Sequence, residues 1–295
     1  MIIGRVYADQ GKLIIAKPFL KQAIAHDKEN SWKTAWALYY LGKIAFQSDN
    51  LKLAQEYFRK SRDLNATRNV SRKSQEILKL TGLSHFYQAW QLVETQNIRF
   101  YFQPSSKVSD FNHYAEIRQS ALNNINQFFK VQLPKKIDFI VWNANEDAQA
   151  IGFKQLGFAK PEYSVIHSRY NQTLGHELTH VIVSFLNESR IVTRFINEGL
   201  AVAFDQSNQD TLSLAKQFKS SYTKKISIEK AWKNNNVYPE WAYYQLSGEL
   251  IKRLLEVAGR DKLIKLAIDN SFANAEQIYG ETLLDVINKL QQELN

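Results

Sequence analysis

His176-Glu177-Leu178-Thr179-His180 sets two imidazoles four residues apart with a carboxylate between them, and Glu198 follows eighteen residues later in Asn197-Glu198-Gly199-Leu200-Ala201. On a helix, residues four apart lie about one turn on and roughly 40° round, so His176 and His180 project side by side and can share one divalent ion. Glu177, turned about 100° from His176, falls beside that ion instead of on it, in the position of a general base. Glu198 offers a third ligand. Nitrogen and carboxylate donors without cysteine suit Zn²⁺, and three protein ligands leave a position open for water, whose pKa zinc lowers to about 7.

The elements that must hold these groups are legible in the apolar spacing. Leu174, Leu178, Val181, Ile182 and Phe185 recur at helical intervals, which predicts a buried amphipathic helix over 173–186 with Asn171 or Thr173 as its cap. A second helix over 194–205 carries Glu198.

With both ligand segments in place, the chain resembles the gluzincin metallopeptidases, in which the two-histidine motif and a glutamate from the next helix hold zinc. Asn197-Glu198-Gly199-Leu200-Ala201 looks most like the peptidase-MA-like bacterial branch and, more distantly, the zinc aminopeptidases. Residues 98–103, 137–142 and 163–167 look like the strands that precede the motif helix, and 241–257 like the helix downstream, so the likeness spans about 96–295. In that helix Tyr244, with the small Ser247 three residues on, resembles the tyrosine that donates a hydrogen bond to the oxyanion. Neighbouring Tyr243 is the alternative, and either fits an apolar core. The resemblance also implies an acid that orients a zinc-bound imidazole. Asp205, seven residues after Glu198, matches the aminopeptidase position, and a solvated helix end is the competing role. The Gly-x-Met-Glu-Asn segment of the aminopeptidases is missing, since the only Met is Met1, so aminopeptidase activity is not implied. The stretch 163–168 is expected to be an edge strand for an extended peptide, with its His167 in a packing or surface role.

The first 95 residues are self-similar. Gly4, Gly11, Ala16, Leu20 and Ala23 have counterparts 38 residues on at Gly42, Asp49, Ala54, Phe58 and Ser61. This small-then-large order resembles a tetratricopeptide repeat, whose period is about 34, so an insertion is expected near 26–32. A third unit is suggested over 71–93, and an ordinary helical subdomain is the alternative. The fold expected is therefore α+β: tetratricopeptide-like helical hairpins over 1–95, then a gluzincin-like domain over 96–295 with a small mixed sheet, an active-site helix and a helical C-terminal part. The junction falls at 94–99, and polar 206–238 is read as a wall of the substrate cleft.

The net charge of +9 is uneven. Residues 1–95 hold 15 Lys and Arg against 8 Asp and Glu, and 96–295 hold 23 against 21. The basic residues are scattered at helix-surface spacing, so solvated faces explain them and no nucleic-acid partner is expected. No apolar run of about 18 residues occurs, so no membrane span is expected. The first residues lack the basic start and apolar stretch of a signal peptide, while the truncated first repeat leaves room for an upstream segment. A cytoplasmic location is expected, with export or the periplasm as the alternative, since zero Cys suits both. The function expected is zinc-dependent hydrolysis of a peptide or protein substrate, with the helical arm engaging protein partners. The alternative is a noncatalytic adaptor whose zinc is structural.

Overall fold

The computed structural model describes residues 1–186, 192–234 and 236–295. It begins with α1 (Ile2–Asp9), α2 (Leu13–His26), α3 (Trp32–Gln47), α4 (Leu51–Asp63) and α5 (Arg68–Leu80). There follow β1 (Gln91–Glu94), β2 (Ile98–Phe102), α6 (Phe111–Phe129), β3 (Ile137–Trp142), α7 (Asn145–Ala148), β4 (Phe158–Lys160) and β5 (Val165–Arg169). The remainder is helical: α8 (His176–Ser184), α9 (Arg194–Ala203), α10 (Thr211–Ser220), α11 (Ile228–Lys233), α12 (Glu240–Ile268), α13 (Phe272–Tyr279) and α14 (Glu281–Leu294). The chain is α+β with a small mixed sheet. Among the described residues no helix is long and apolar enough to cross a membrane.

One compact unit comprises Met1–Ala115, Pro134–Leu156 and Glu162–Tyr170. The 38-residue self-similarity has a direct structural meaning there. Gly4 of α1 faces Leu20 of α2 so closely that a Cβ would lie 2.9 Å from Leu20 Cγ, and at Gly42 of α3 it would lie 2.7 Å from Phe58 Cε1 of α4. Each pair is one glycine opposite one large apolar residue, which lets two helices approach with no gap. The turns match as well: Gly11 and Asp49 both adopt positive φ, 75° and 57°. The extra residues between hairpins wrap around Asp27. Its carboxylate accepts the Ser31 and Thr34 N–H groups and both hydroxyls, which hold it below the usual carboxylate range, Thr34 most strongly.

The third unit expected over 71–93 is only half helical. After α5 the chain turns through Gly82 at φ 70°, makes one 3₁₀ turn over His85–Tyr87 and enters β1 in place of a second helix. Residues 94–99, read as the junction, are the connection from β1 into β2. β1 and β2 pair antiparallel with Leu92 opposite Tyr101, β2 and β3 parallel with Phe100 opposite Phe139, and β3 and β5 parallel with Phe139 opposite Ile166. Every residue of β3 is buried, as its continuous apolar run requires of an interior strand. The exception by chemistry is Asp138, which is neutralised by Lys135 and by Arg99, itself paired with Asp49.

The other unit comprises Glu116–Leu133, Gly157–Pro161 and Asn171–Asn295. Its centre is the contact of α9 with α12. A Cβ on Gly199 would lie 2.8 Å from Ser247 O, and one on Gly248 would lie 2.5 Å from Val202 Cγ1, so each helix presents a glycine to the other. Phe195, Leu200, Tyr243, Leu246 and Leu250 fill the rest of this interface and are fully buried. Gly259, at φ 76°, breaks α12, and Arg260 just beyond it donates to Phe128 O at 2.6 Å. The segment 206–238 contributes to the core as well as to the surface: α10 and α11, capped by Asp210 and Ser227, bury Phe218 and Trp232.

Candidate metal centre

Gly175 fixes where α8 begins. Its N–H donates to Asp205 O at 3.0 Å, and a Cβ there would lie 2.4 Å from Phe204 O, so only glycine lets the chain pass the end of α9 this closely. The helix therefore starts at His176, with Gly175 at the cap and no side-chain cap, in place of the expected start at 173 under Asn171 or Thr173. Leu178, Val181 and Ile182 are fully buried and anchor its inner face. The start of α9 is tied down independently: Thr193 N–H donates to Asn270 Oδ1 at 2.6 Å and the Thr193 hydroxyl to Asn270 O at 3.1 Å.

This arrangement brings His176, His180 and Glu198 together, with one donor atom from each all within 4.8 Å of one another. Glu198 Oε2 lies 3.4 Å from His176 Nε2 and 3.4 Å from His180 Nε2. Four ligands arranged tetrahedrally at 2.0–2.1 Å from an ion stand about 3.4 Å apart. The spacing is thus long for a hydrogen bond but matches two ligands of a shared ion. Glu198 Oε2 is buried with no hydrogen-bond partner among the described residues, an acceptor that a cation would satisfy. The donor set, its spacing and this orphaned oxygen fit a divalent ion.

The local electrostatics follow from burial and proximity. Burial opposes the charge of Glu198, but the two imidazoles outweigh it and hold the carboxyl down to about 2. At His180 burial again opposes charge, and Glu198, Glu177 and Asn197 together push the imidazole above its ordinary range. Glu177 is pushed up chiefly by burial, with Glu198 adding to the shift and His180, His176 and the Ala159 N–H opposing it. Its Oε2 is buried and has no hydrogen-bond partner among the described residues. A carboxylate held without a full set of donors retains capacity to accept a proton.

The tyrosine pair separates by environment. Tyr244 is half-buried, with its ring 5.8 Å from that of His176 in an edge-on contact. Its hydroxyl donates to Glu240 Oε1 at 3.2 Å, and burial, Glu198 and Glu240 all push its pKa up. Glu240 is in turn paired with Arg194, a connection the sequence did not suggest. Tyr243 is fully buried, donates to Asn234 O at 2.8 Å and accepts from Val237 N–H at 2.9 Å, so its hydroxyl is committed to the core.

Asp205 is not brought onto either imidazole. It lies beyond the end of α9, where the chain turns through Gln206 at φ 58°, and its Oδ1 accepts the Ser207 N–H at 2.8 Å. The group that does reach an imidazole is Asn197, whose side-chain amide lies 3.1 Å from His180 Nδ1. For His180 to turn an unprotonated Nε2 toward an ion, Nδ1 must carry the proton, and the Asn197 amide, whose Nδ2 is the atom placed at 3.1 Å, must turn end for end so that its oxygen accepts it. The available signal was position, since the residue before Glu198 is rotated about 100° from it on α9. His167 is remote in role. It is fully buried on β5, accepts from Trp142 Nε1 at 3.1 Å and donates from Nε2 to Leu80 O at 2.8 Å. The strand begins at Val165, and its buried run from Val165 to Ser168 is not the exposed edge expected at 163–168.

Compared with known proteins, the sequence matches no family profile and no curated relative.

Proposed function

We propose that this chain is a zinc-dependent peptidase of the gluzincin type, acting within peptide or protein substrates, with a tetratricopeptide-like helical region that engages substrate or a protein partner. The observation that carries this reading is the pairing of a three-donor cluster at ligand spacing with a buried carboxylate, Glu177, one of whose oxygens has no hydrogen-bond partner among the described residues, in the adjoining sequence position. A purely structural site closes on four protein ligands and has no use for such a base, which weighs against the adaptor reading.

His176, His180 and Glu198 would hold the ion. When bound, zinc supplies Lewis acidity at the scissile carbonyl and makes water acidic near pH 7. Glu177 takes a proton from the attacking water as its oxygen bonds to the carbonyl carbon, then passes that proton to the amine nitrogen as the C–N bond breaks. The Tyr244 hydroxyl turns from Glu240 to donate to the oxyanion. Asn197 keeps the His180 ring in the tautomer that presents Nε2.

The test is cleavage of a diverse peptide library by the zinc-loaded protein, with a chelator and Glu177→Gln as controls. The variant is expected to keep its zinc by elemental analysis and to lose about 10²- to 10⁴-fold in turnover. Cleavage at the wild-type rate by Glu177→Gln, or a protein that takes up no zinc, overturns the proposal.

A further inference from the structure

The helical unit contains a polar cavity of about 310 Å³ at which α1, α3 and α5 present Arg5, Asp9, Tyr39, Tyr40, Lys43 and Lys73. Trp36 and Tyr163 complete its lining with aromatic surface. Asp9 is already engaged, since its Oδ2 accepts from the Tyr40 hydroxyl at 3.3 Å and from Arg5 Nε at 3.4 Å. Lys43 and Lys73 are half-buried, neither forms an ion pair among the described residues, and they are close enough to repel. Three cations against one carboxylate leave the lining two positive charges in excess; Glu162 acts on Lys43 from outside it. Half-buried like charges held together are costly; Asp9 and Glu162 offset only part of that cost at Lys43, and an anion would relieve the rest.

We propose that this cavity is a binding site for a phosphoryl group, either free phosphate or a phosphate monoester. A phosphate carries close to two negative charges at neutral pH on one compact centre, which matches the excess charge of the lining. It also offers oxygens enough for two ammonium groups and a guanidinium together, where a single carboxylate offers two. The aromatic wall favours an ester whose organic part lies against a ring. This site is independent of the metal centre, and its test does not depend on peptidase activity.

Calorimetric titration of the full chain with inorganic phosphate, phenyl phosphate and malonate tests the assignment. Either phosphate probe is expected to bind at least about tenfold more tightly than malonate, and Lys43→Met and Lys73→Met are each expected to weaken phosphate binding about tenfold or more. Tighter binding of phenyl phosphate than of inorganic phosphate identifies an ester as the ligand, and equal binding identifies the free ion. Malonate binding as tight as phosphate, no binding of either phosphate probe, or affinities unchanged in both variants overturns the proposal. Should the variants fold poorly, acetylation of wild-type lysines read by mass spectrometry decides instead: phosphate must protect Lys43 and Lys73 while leaving the exposed Lys216 as reactive as before, and equal modification with and without phosphate overturns it.

Discussion

Asn197 precedes one candidate ligand and touches another, so it links α9 to α8 at the candidate site. Removing its amide leaves His180 Nδ1 without an oriented partner. Asn197→Ala is expected to weaken zinc binding about 10- to 100-fold in competition with a chromogenic chelator, while the thermal midpoint of the metal-free protein changes little; unchanged affinity would assign the orientation of His180 to packing alone. The two tyrosines give a second residue-scale contrast. Tyr244→Phe is expected to lower kcat by about 10² with KM nearly constant, because it removes a donor needed only as charge develops. Tyr243→Phe is expected to act on stability, since it strips the partner from Asn234 O and Val237 N–H, and a larger kcat loss in this variant would reverse the assignment. The gathering of His176, His180 and Glu198 was legible because helical periodicity converts spacing into direction. The partner of the imidazole was not, because Asp205 and Asn197 differ in a turn beyond α9 that sequence spacing does not encode.

At the scale of elements, glycines set the distances between helices. Gly199→Ala would drive a methyl to within 2.8 Å of Ser247 O, and α9 and α12 would have to move apart. A loss of about 1–3 kcal/mol in unfolding free energy is expected, together with weaker zinc binding, because the shifted helix carries Glu198. Stability and metal affinity both at wild-type level in urea and chelator titrations would show that the contact has slack. The 38-residue offset was readable for the same reason, since a glycine opposite a large apolar residue recurs wherever two helices pack with that geometry. It failed for the third unit because nothing in the pattern announces that Gly82 leads to a strand, with Tyr87, Trp90 and Trp142 packed on one another in place of a second helix.

For the molecule as a whole, acid tolerance depends on groups kept neutral inside it. Burial holds His167 down to about 4, against 6.5 for the free side chain, and both its nitrogens are already used in the neutral form. Protonation would set Nδ1–H against the Trp142 N–H. Between about pH 6.5 and 4 the unfolded chain binds a proton that the folded chain refuses, so stability falls as pH falls through that window, by about 3 kcal/mol from this residue. Urea midpoints of wild type and His167→Gln at the two ends of the window test this: the variant is expected to be less stable at neutral pH and to show a flatter pH profile. Parallel profiles would place the sensitivity elsewhere. The α+β class was readable from helical spacing, the repeat and the resemblance, and run length anticipated that no described helix is long and apolar enough to cross a membrane. The contribution of 206–238 to the core was not readable, because its polar average conceals Phe218 and Trp232, spaced to pack inward from two short helices.

The adjacency of Glu198 to Gly199 has a consequence for measurement. Because the candidate donor oxygen and the tight seat on Ser247 are one residue apart, the coordination sphere of an ion held there would gauge interior packing. Cobalt(II) loaded in this position absorbs visible light with a colour that tracks its ligand geometry. Substitutions deep in the α9–α12 interface should therefore be readable as a change of hue long before the chain unfolds.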